Sequence, residues 1–309
     1  MALELTHSTS GVATLNPDSQ IGPGDACRFV SLGAFKDRSG MVDDVSVVRC
    51  QVCGLGLSKP DLPDVAFLYS ARTSQDFQPD GGALVRGLKR IVFRHDARHI
   101  LRGLDEKPKL IIDFACGSGL FTRCLAEEAV GARVVGADFH ASAPAELKTA
   151  EYSPIDRLDA YAGKADLVLA MHVLEHDDDP RALLERIVRL VRPGGRLIVE
   201  TPNVDCVWAS IFGKAWDAWY LPYHRRHFNH RNLRALVEGG GLTVTSVENV
   251  SVPSIGRTFA NMLGLRNGAV FILIGAALHP LQWALEWATR RPYAVRIIAR
   301  KDSTPVGNE

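Results

Sequence analysis

Short apolar runs alternate with amphipathic stretches through the middle of the chain, and this alternation carries most of what the sequence predicts. Residues 110–114, 134–138, 166–170 and 197–200 are nearly continuous in apolar side chains, the pattern of strands covered on both faces, and residues 242–246 and 294–301 follow as two more. Helical periodicity falls between most of them, as in residues 120–128 and 231–238. Strand and helix in alternation predict an α/β domain on a doubly wound sheet over residues 105–301. One connection is short: the stretch from Asp138 to Asp166 must also hold a third strand, expected near residues 148–152.

Four patterns lie outside or between these strands. Residues 84–104 read as an amphipathic helix with Leu84, Leu88, Ile91, Val92, Ile100, Leu101 and Leu104 on its apolar side. On its other side Arg86, Arg90, Arg94, Arg98 and Arg102 recur every fourth residue, with Lys89 beside them and only Asp96 opposing. That face reads either as solvated surface or as contact with an anionic membrane or a phosphorylated acceptor. Residues 207–230 collect Trp208, Trp216, Trp219, Tyr220 and Tyr223, which either pack on the core or wall a pocket for an apolar or sugar-like acceptor. Residues 251–293 form a hydrophobic insertion before the last strand. Its run 268–278 is too short to span a bilayer, and His279-Pro280 is expected to interrupt it, which leaves a buried cap or an interfacial helix.

The N-terminal region divides into a polar arm over residues 1–24, a small module over 25–60 and a helical linker or lid over 61–104; a tail follows 301. Within the module, residues 45–48 predict a strand, and Arg49-Cys50-Gln51-Val52-Cys53-Gly54 has the tight turn of a zinc knuckle. Cys27 is the third thiol there, but Val30 stands where a second C-x-x-C pair would be completed. Three thiolates, Cys27, Cys50 and Cys53, do not close a structural zinc site without a recruited ligand such as His7 or Asp25. Cys116, Cys124 and Cys206 lie in expected core elements and read as small hydrophobes.

Composition narrows the classes. A 309-residue chain with 46% hydrophobic and 23% charged residues can bury a proper core, and a net charge of +1 gives no pull toward nucleic acid. Residues 1–24 lack the basic start and apolar core of a signal peptide, so the expected location is cytoplasmic, with peripheral contact at the inner face of the membrane as its extension.

The chemistry gathers at the strand ends. Asp113-Phe114-Ala115-Cys116-Gly117-Ser118-Gly119 closes the first strand with a glycine turn that lets backbone approach a ligand, and Asp138 follows 19 residues after Gly119, where a second strand delivers a carboxylate to ribose hydroxyls. A dinucleotide site wants a third glycine, whereas Leu120, Phe121 and Thr122 follow here. Asp113, an anion at the strand end, suits a cationic ammonium better than a pyrophosphate.

These residues resemble the first motif of class I S-adenosylmethionine-dependent methyltransferases, with Asp138 similar to their ribose-binding acid. The resemblance continues through Asp166 to His176 with Asp179-Pro180, and through Leu190 to Asn203, in the family's order over about a hundred residues. It implies a seven-stranded Rossmann-like sheet with an antiparallel last strand and S-adenosylmethionine as cofactor. It also implies a lining from Asp113, Ala115, Gly117, Ser118, Gly119, Phe121, Asp138, Phe139, Met171 and His172, with Asp156 toward the adenine. Many relatives carry a zinc ribbon ahead of the domain, of which residues 25–60 are a degenerate form.

The resemblance implies methyl transfer to a small-molecule or lipid-linked acceptor, at oxygen in preference to nitrogen or carbon. A hydroxyl acceptor needs a proton acceptor, and His172, His176 and His227 are the candidates, since a neutral imidazole titrates near working pH. Ubiquinone-type O-methyltransferases have a related turn with Glu where this chain has His172, a departure that separates it from their metal-assisted mechanism. The competing readings are a nicotinamide-dependent oxidoreductase and a catalytically inactive binding module.

Overall fold

A computed structural model describes residues 28–37, 40–62, 64–69, 82–265 and 267–303. Three short strands come first, β1 (Phe29–Ala34), β2 (Ser46–Cys50) and β3 (Gly56–Lys59), and helix α1 (Gly82–Arg102) leads into the main sheet. There follow β4 (Leu110–Phe114), α2 (Leu120–Glu128), β5 (Arg133–Asp138), β6 (Glu151–Pro154), β7 (Ala165–Met171), α3 (Pro180–Leu190) and β8 (Val191–Pro202). The chain ends with α4 (Val207–Phe212), β9 (Arg226–His227), α5 (His230–Gly239), β10 (Leu242–Val250), α6 (Ile255–Met262), α7 (Ala269–Thr289) and β11 (Ala294–Lys301).

The seven-stranded sheet has the order β10-β11-β8-β7-β4-β5-β6, with β8, β7, β4, β5 and β6 parallel and β11 antiparallel to both of its neighbours. The strand order reverses between β4 and β7, so a crevice opens beyond their C-terminal ends, the place where open α/β sheets bind ligands. The fold is the doubly wound methyltransferase sheet expected from the sequence. The third strand, β6, begins a few residues later than expected, because residues 139–150 are spent on turns rather than on a helix.

The small module does not stand apart. Its three strands form an antiparallel meander whose last member, β3, pairs with β9 from the far side of the main domain. Ser58 Oγ donates to His224 O at 2.6 Å and lies 3.0 Å from His227 Nε2. A second apolar core fills the space between, with Val45 and Val47 against Trp216, Trp219 and Leu221. The aromatic stretch after β8 is therefore core: Trp208, Trp216, Trp219 and Tyr223 are buried.

Two helices differ from expectation in part. The arginines of α1 pair with acids of the domain, Arg90 with Glu127 (2.9 Å), Arg94 and Arg98 with Glu128 (2.7 Å each) and Arg86 with Glu146 (3.3 Å), and stay 40–48% exposed, so the basic stripe is a solvated face neutralised by ion pairs. Val85, Ala97 and Ile100 are the buried apolar positions, while Leu88, Ile91 and Val92, expected inside, are exposed. In α7, Pro280 sits within one continuous 21-residue helix and does not interrupt it. α6 and α7 meet at Gly256, where a Cβ would lie 1.8 Å from Phe271 O, so only glycine permits this approach.

Candidate active site

The ends of β4 and β7 are both strained. Ala115 (φ 60°) follows β4 and His172 (φ 55°) follows β7, and left-handed backbone at a non-glycine residue persists only where its surroundings impose it. Two such residues facing one crevice mark it as the place to look for chemistry.

On the β4 side, Asp113 is buried and accepts a hydrogen bond from Thr122 Oγ1 at 2.5 Å. Burial pushes its carboxyl up to about 7 in spite of the Thr122 hydroxyl, so the side chain lacks a cationic partner. Gly117 (φ 54°) leaves open space where a Cβ would stand, and its N–H donates to Asp138 Oδ2 at 2.8 Å. Asp138 Oδ1 accepts from the Phe139 N–H at 2.8 Å, and burial raises this carboxyl as well, against those two hydrogen bonds. Phe139 itself is 67% exposed, its ring edge-on to Phe114 at 6.5 Å.

A turn with room above it, a carboxyl wanting a cation, a second carboxyl at the strand tip and an exposed aromatic ring beside it fit an amino-acid nucleoside such as S-adenosylmethionine. Gly119 (φ 77°) has a second reason to be glycine: a Cβ there would meet Leu147 at 2.9–3.0 Å. Ala115, Ser118 and Met171 are partly buried at the same edge. Phe121 instead packs edge-on against Phe93 of α1 at 5.6 Å, while Asp156 is exposed in the turn after β6.

On the β7 side, His172 is clamped between two carboxylates, Nδ1 at 3.3 Å from Glu175 Oε1 and Nε2 at 3.0 Å from Glu200 Oε1. Burial would lower its pKa, but these hydrogen bonds more than offset that and carry it up to about 10. His172 is thus a cation at neutral pH with both ring nitrogens engaged. Glu200 also binds Arg296 (2.7 Å), which reaches Asp96 of α1 (2.8 Å), so a chain of alternating charge runs through the sheet from α1 to the crevice.

His176 meets two partners from distant parts of the chain. Tyr69 Oη lies 2.7 Å from His176 Nδ1, and the His224 ring stands edge-on to it at 4.6 Å between centroids. His224 Nδ1 is 2.8 Å from Ala218 O, and burial, with His176 and His227 nearby, holds its pKa well below the usual range. Among the described residues, Glu175, His176 and His224 are the group whose ligand-type atoms approach one another, all within 4.8 Å.

His227 does not face His176. It is buried in the small sheet against Ser58 and Trp219, and burial with Arg226 and Arg225 beside it lowers its pKa to about 3. His224, three residues earlier, occupies the place expected of it. Tyr69 belongs to a segment with no motif of its own, and only its distance reveals it.

For the cysteines, Cys27 lies outside the described residues. Cys50 and Cys53 sit at the β2–β3 turn, where protein groups hold the loop: Arg49 binds Asp205 and donates to Gly54 O at 3.1 Å, and Asn229 Nδ2 donates to Cys53 O at 3.1 Å.

Comparison with known proteins identifies the family. The methyltransferase-domain model matches residues 88–247. The ubiquinone biosynthesis O-methyltransferase of Aeromonas salmonicida is 27% identical over 168 residues, 49% of this chain and 70% of that protein. The protein of the same name from Erwinia tasmaniensis is 30% identical over 106 residues, 31% of this chain and 43% of its own. A crystal structure of Burkholderia thailandensis 1,6-didemethyltoxoflavin-N1-methyltransferase, with its substrate and S-adenosylhomocysteine bound, is 17% identical at a TM-score of 0.48, covering 85% of this chain and 97% of that one. The chain belongs to the methyltransferase-domain family, and the cofactor of the reaction is S-adenosylmethionine.

Proposed function

We propose that the protein transfers a methyl group to a hydroxyl oxygen of a small or lipid-linked acceptor. The observation that carries this reading is the Tyr69–His176 contact in the turn that follows β7. In the tautomer that leaves Nε2 unprotonated, Nδ1–H donates to Tyr69 Oη, which fixes the ring and presents Nε2 as a base. The relatives named ubiquinone biosynthesis O-methyltransferases support oxygen over nitrogen.

S-adenosylmethionine supplies an electrophilic methyl group. Asp113 would hold its ammonium and Asp138 its ribose, Gly117, Ser118 and Ala115 would line its site, and Phe139 would flank the base. Positioning is the chief contribution the protein makes to such a displacement, since a held pair of reactants gains greatly over free encounter. His176 takes the hydroxyl proton, and His172, charged and clamped, holds the turn in register rather than accepting a proton. Exclusion of His172 and His227 leaves His176 as the base among the three histidines first considered.

Turnover with hydroxylated and amine-bearing aromatic acceptors, followed by mass spectrometry of the product, tests the reading. His176→Ala is expected to lose about 10²–10⁴-fold in kcat with unchanged cofactor affinity. Methylation of amines alone, or full activity in His176→Ala, would overturn it.

A further inference from the structure

Helix α7 is turned inside out. Its buried positions are Gly275, Gln282 and Glu286. Glu286 accepts from Trp208 Nε1 at 2.6 Å and from Gln282 Nε2 at 2.8 Å, and Gln282 Oε1 accepts from the Ser254 N–H at 3.1 Å. The polar side chains of this helix thus serve the interior, while Val270, Leu273, Leu281, Trp283 and Trp287 face out at 43–74% exposure. With Ala277 and Ala284 they make a charge-free stripe roughly 30 Å long. In length and composition the helix would suit a bilayer, yet only 17% of its most apolar window is buried, so it is not a core helix.

The helix α1, which touches α7, pairs its arginines with Glu127 and Glu128 and leaves Leu88, Ile91 and Val92 exposed. The end of α6 adds exposed Met262 and Leu263. Charge decides what covers this surface. Between Ser251 and Arg291 the chain carries four arginines and one acid, and that acid, Glu286, is buried. An apolar stripe with no outward acid, and with two tryptophans and the exposed Arg290 toward one end, suits an anionic lipid interface, where indole rings settle at headgroup level and an arginine reaches the phosphates.

We infer that the outward faces of α7 and α1 form a docking surface for an anionic lipid bilayer, with α7 lying in the interfacial plane and the methyltransferase domain above it. The attachment uses apolar side chains, and the basic stripe of α1 takes no part. It is independent of the acceptor, since it concerns a face of the molecule and not the crevice.

Co-sedimentation of the full chain with vesicles of phosphatidylcholine, with and without phosphatidylglycerol, tests this. Binding is expected to the anionic vesicles, several-fold weaker without phosphatidylglycerol or at high salt, with a blue shift of tryptophan emission that Trp283→Phe/Trp287→Phe removes. Leu273→Glu/Leu281→Glu on α7 and, separately, Ile91→Glu/Val92→Glu on α1 should each weaken binding at least tenfold while leaving S-adenosylmethionine affinity by calorimetry unchanged; the retained affinity shows that the fold persists. Three results would overturn the inference: no sedimentation with either vesicle, sedimentation unaffected by the α7 variant, or a dimer in light scattering that the α7 variant dissociates while vesicle binding is absent. The last would assign the face to a second copy of the chain.

Discussion

At the scale of single residues, the crevice stores cost that a ligand is built to relieve. Asp113 ionises at about 7 in the folded protein against an ordinary carboxyl value of 3.8. The folded state therefore holds more protons than the unfolded between those values, and stability falls as pH rises through the window. Asp113→Asn keeps an oxygen for Thr122 and loses the buried charge. It should raise the Tm of the cofactor-free protein by several degrees at pH 8, with the gain gone below about pH 4, while cofactor affinity drops at least tenfold. Scanning calorimetry across pH and titration calorimetry at one pH check the two halves; a variant less stable at pH 8 would sink the first. For Asp138, both oxygens already accept from backbone N–H groups, so Asp138→Ala should loosen the turn and lower S-adenosylmethionine affinity several-fold. The slope for His172 has the same sign in a higher window, but here the charged form is the stabilising one. Its raised pKa means that the imidazolium stabilises the fold fully below about 6.5 and that this contribution disappears as pH passes about 10, so His172→Gln should flatten the alkaline limb of the stability profile.

At the scale of elements, strands were legible and helix coverage was not. β4, α2 and β11 lie where the apolar runs placed them, because a strand covered on both faces leaves a continuous signature. α1 lies close to its predicted span, and Ile100, Leu101 and Leu104 are buried at least in part, but Leu88, Ile91 and Val92 face out, since periodicity reports which residues share a side and not how far that side is covered. His176 was legible through its motif, whereas Tyr69 and His224 come from segments 107 residues before it and 48 after it, brought near only by the fold. The C-x-x-C-G turn has the shape of a zinc knuckle short of a fourth ligand, and Arg49 and Asn229 hydrogen-bond its backbone. Cys50→Ser/Cys53→Ser should accordingly cost less Tm than Arg49→Ala, and elemental analysis of untagged protein should find less than one zinc per chain. One firmly held zinc lost on the cysteine change would reverse that order.

At the scale of the whole molecule, two devices join distant parts: the charge chain from Asp96 through Arg296 and Glu200 to His172, and the pairing of β3 with β9. Arg296 is buried and binds acids on both sides, so Arg296→Met leaves Asp96 without this counter-charge and Glu200 with His172 alone, and should cost about 3–5 kcal/mol. Adding Glu200→Gln should restore part of that loss in denaturant unfolding; a fully additive pair would mean the two side chains are not coupled. The β3–β9 pairing has a consequence for synthesis. Ser58 and His227 are 169 residues apart, so β1, β2 and β3 leave the ribosome as a meander whose β3 edge stays unpaired until the far loop is made. At ordinary elongation speeds that is a delay of roughly 10–30 s, during which the nascent chain carries an open sheet edge that its own later sequence alone is shaped to close.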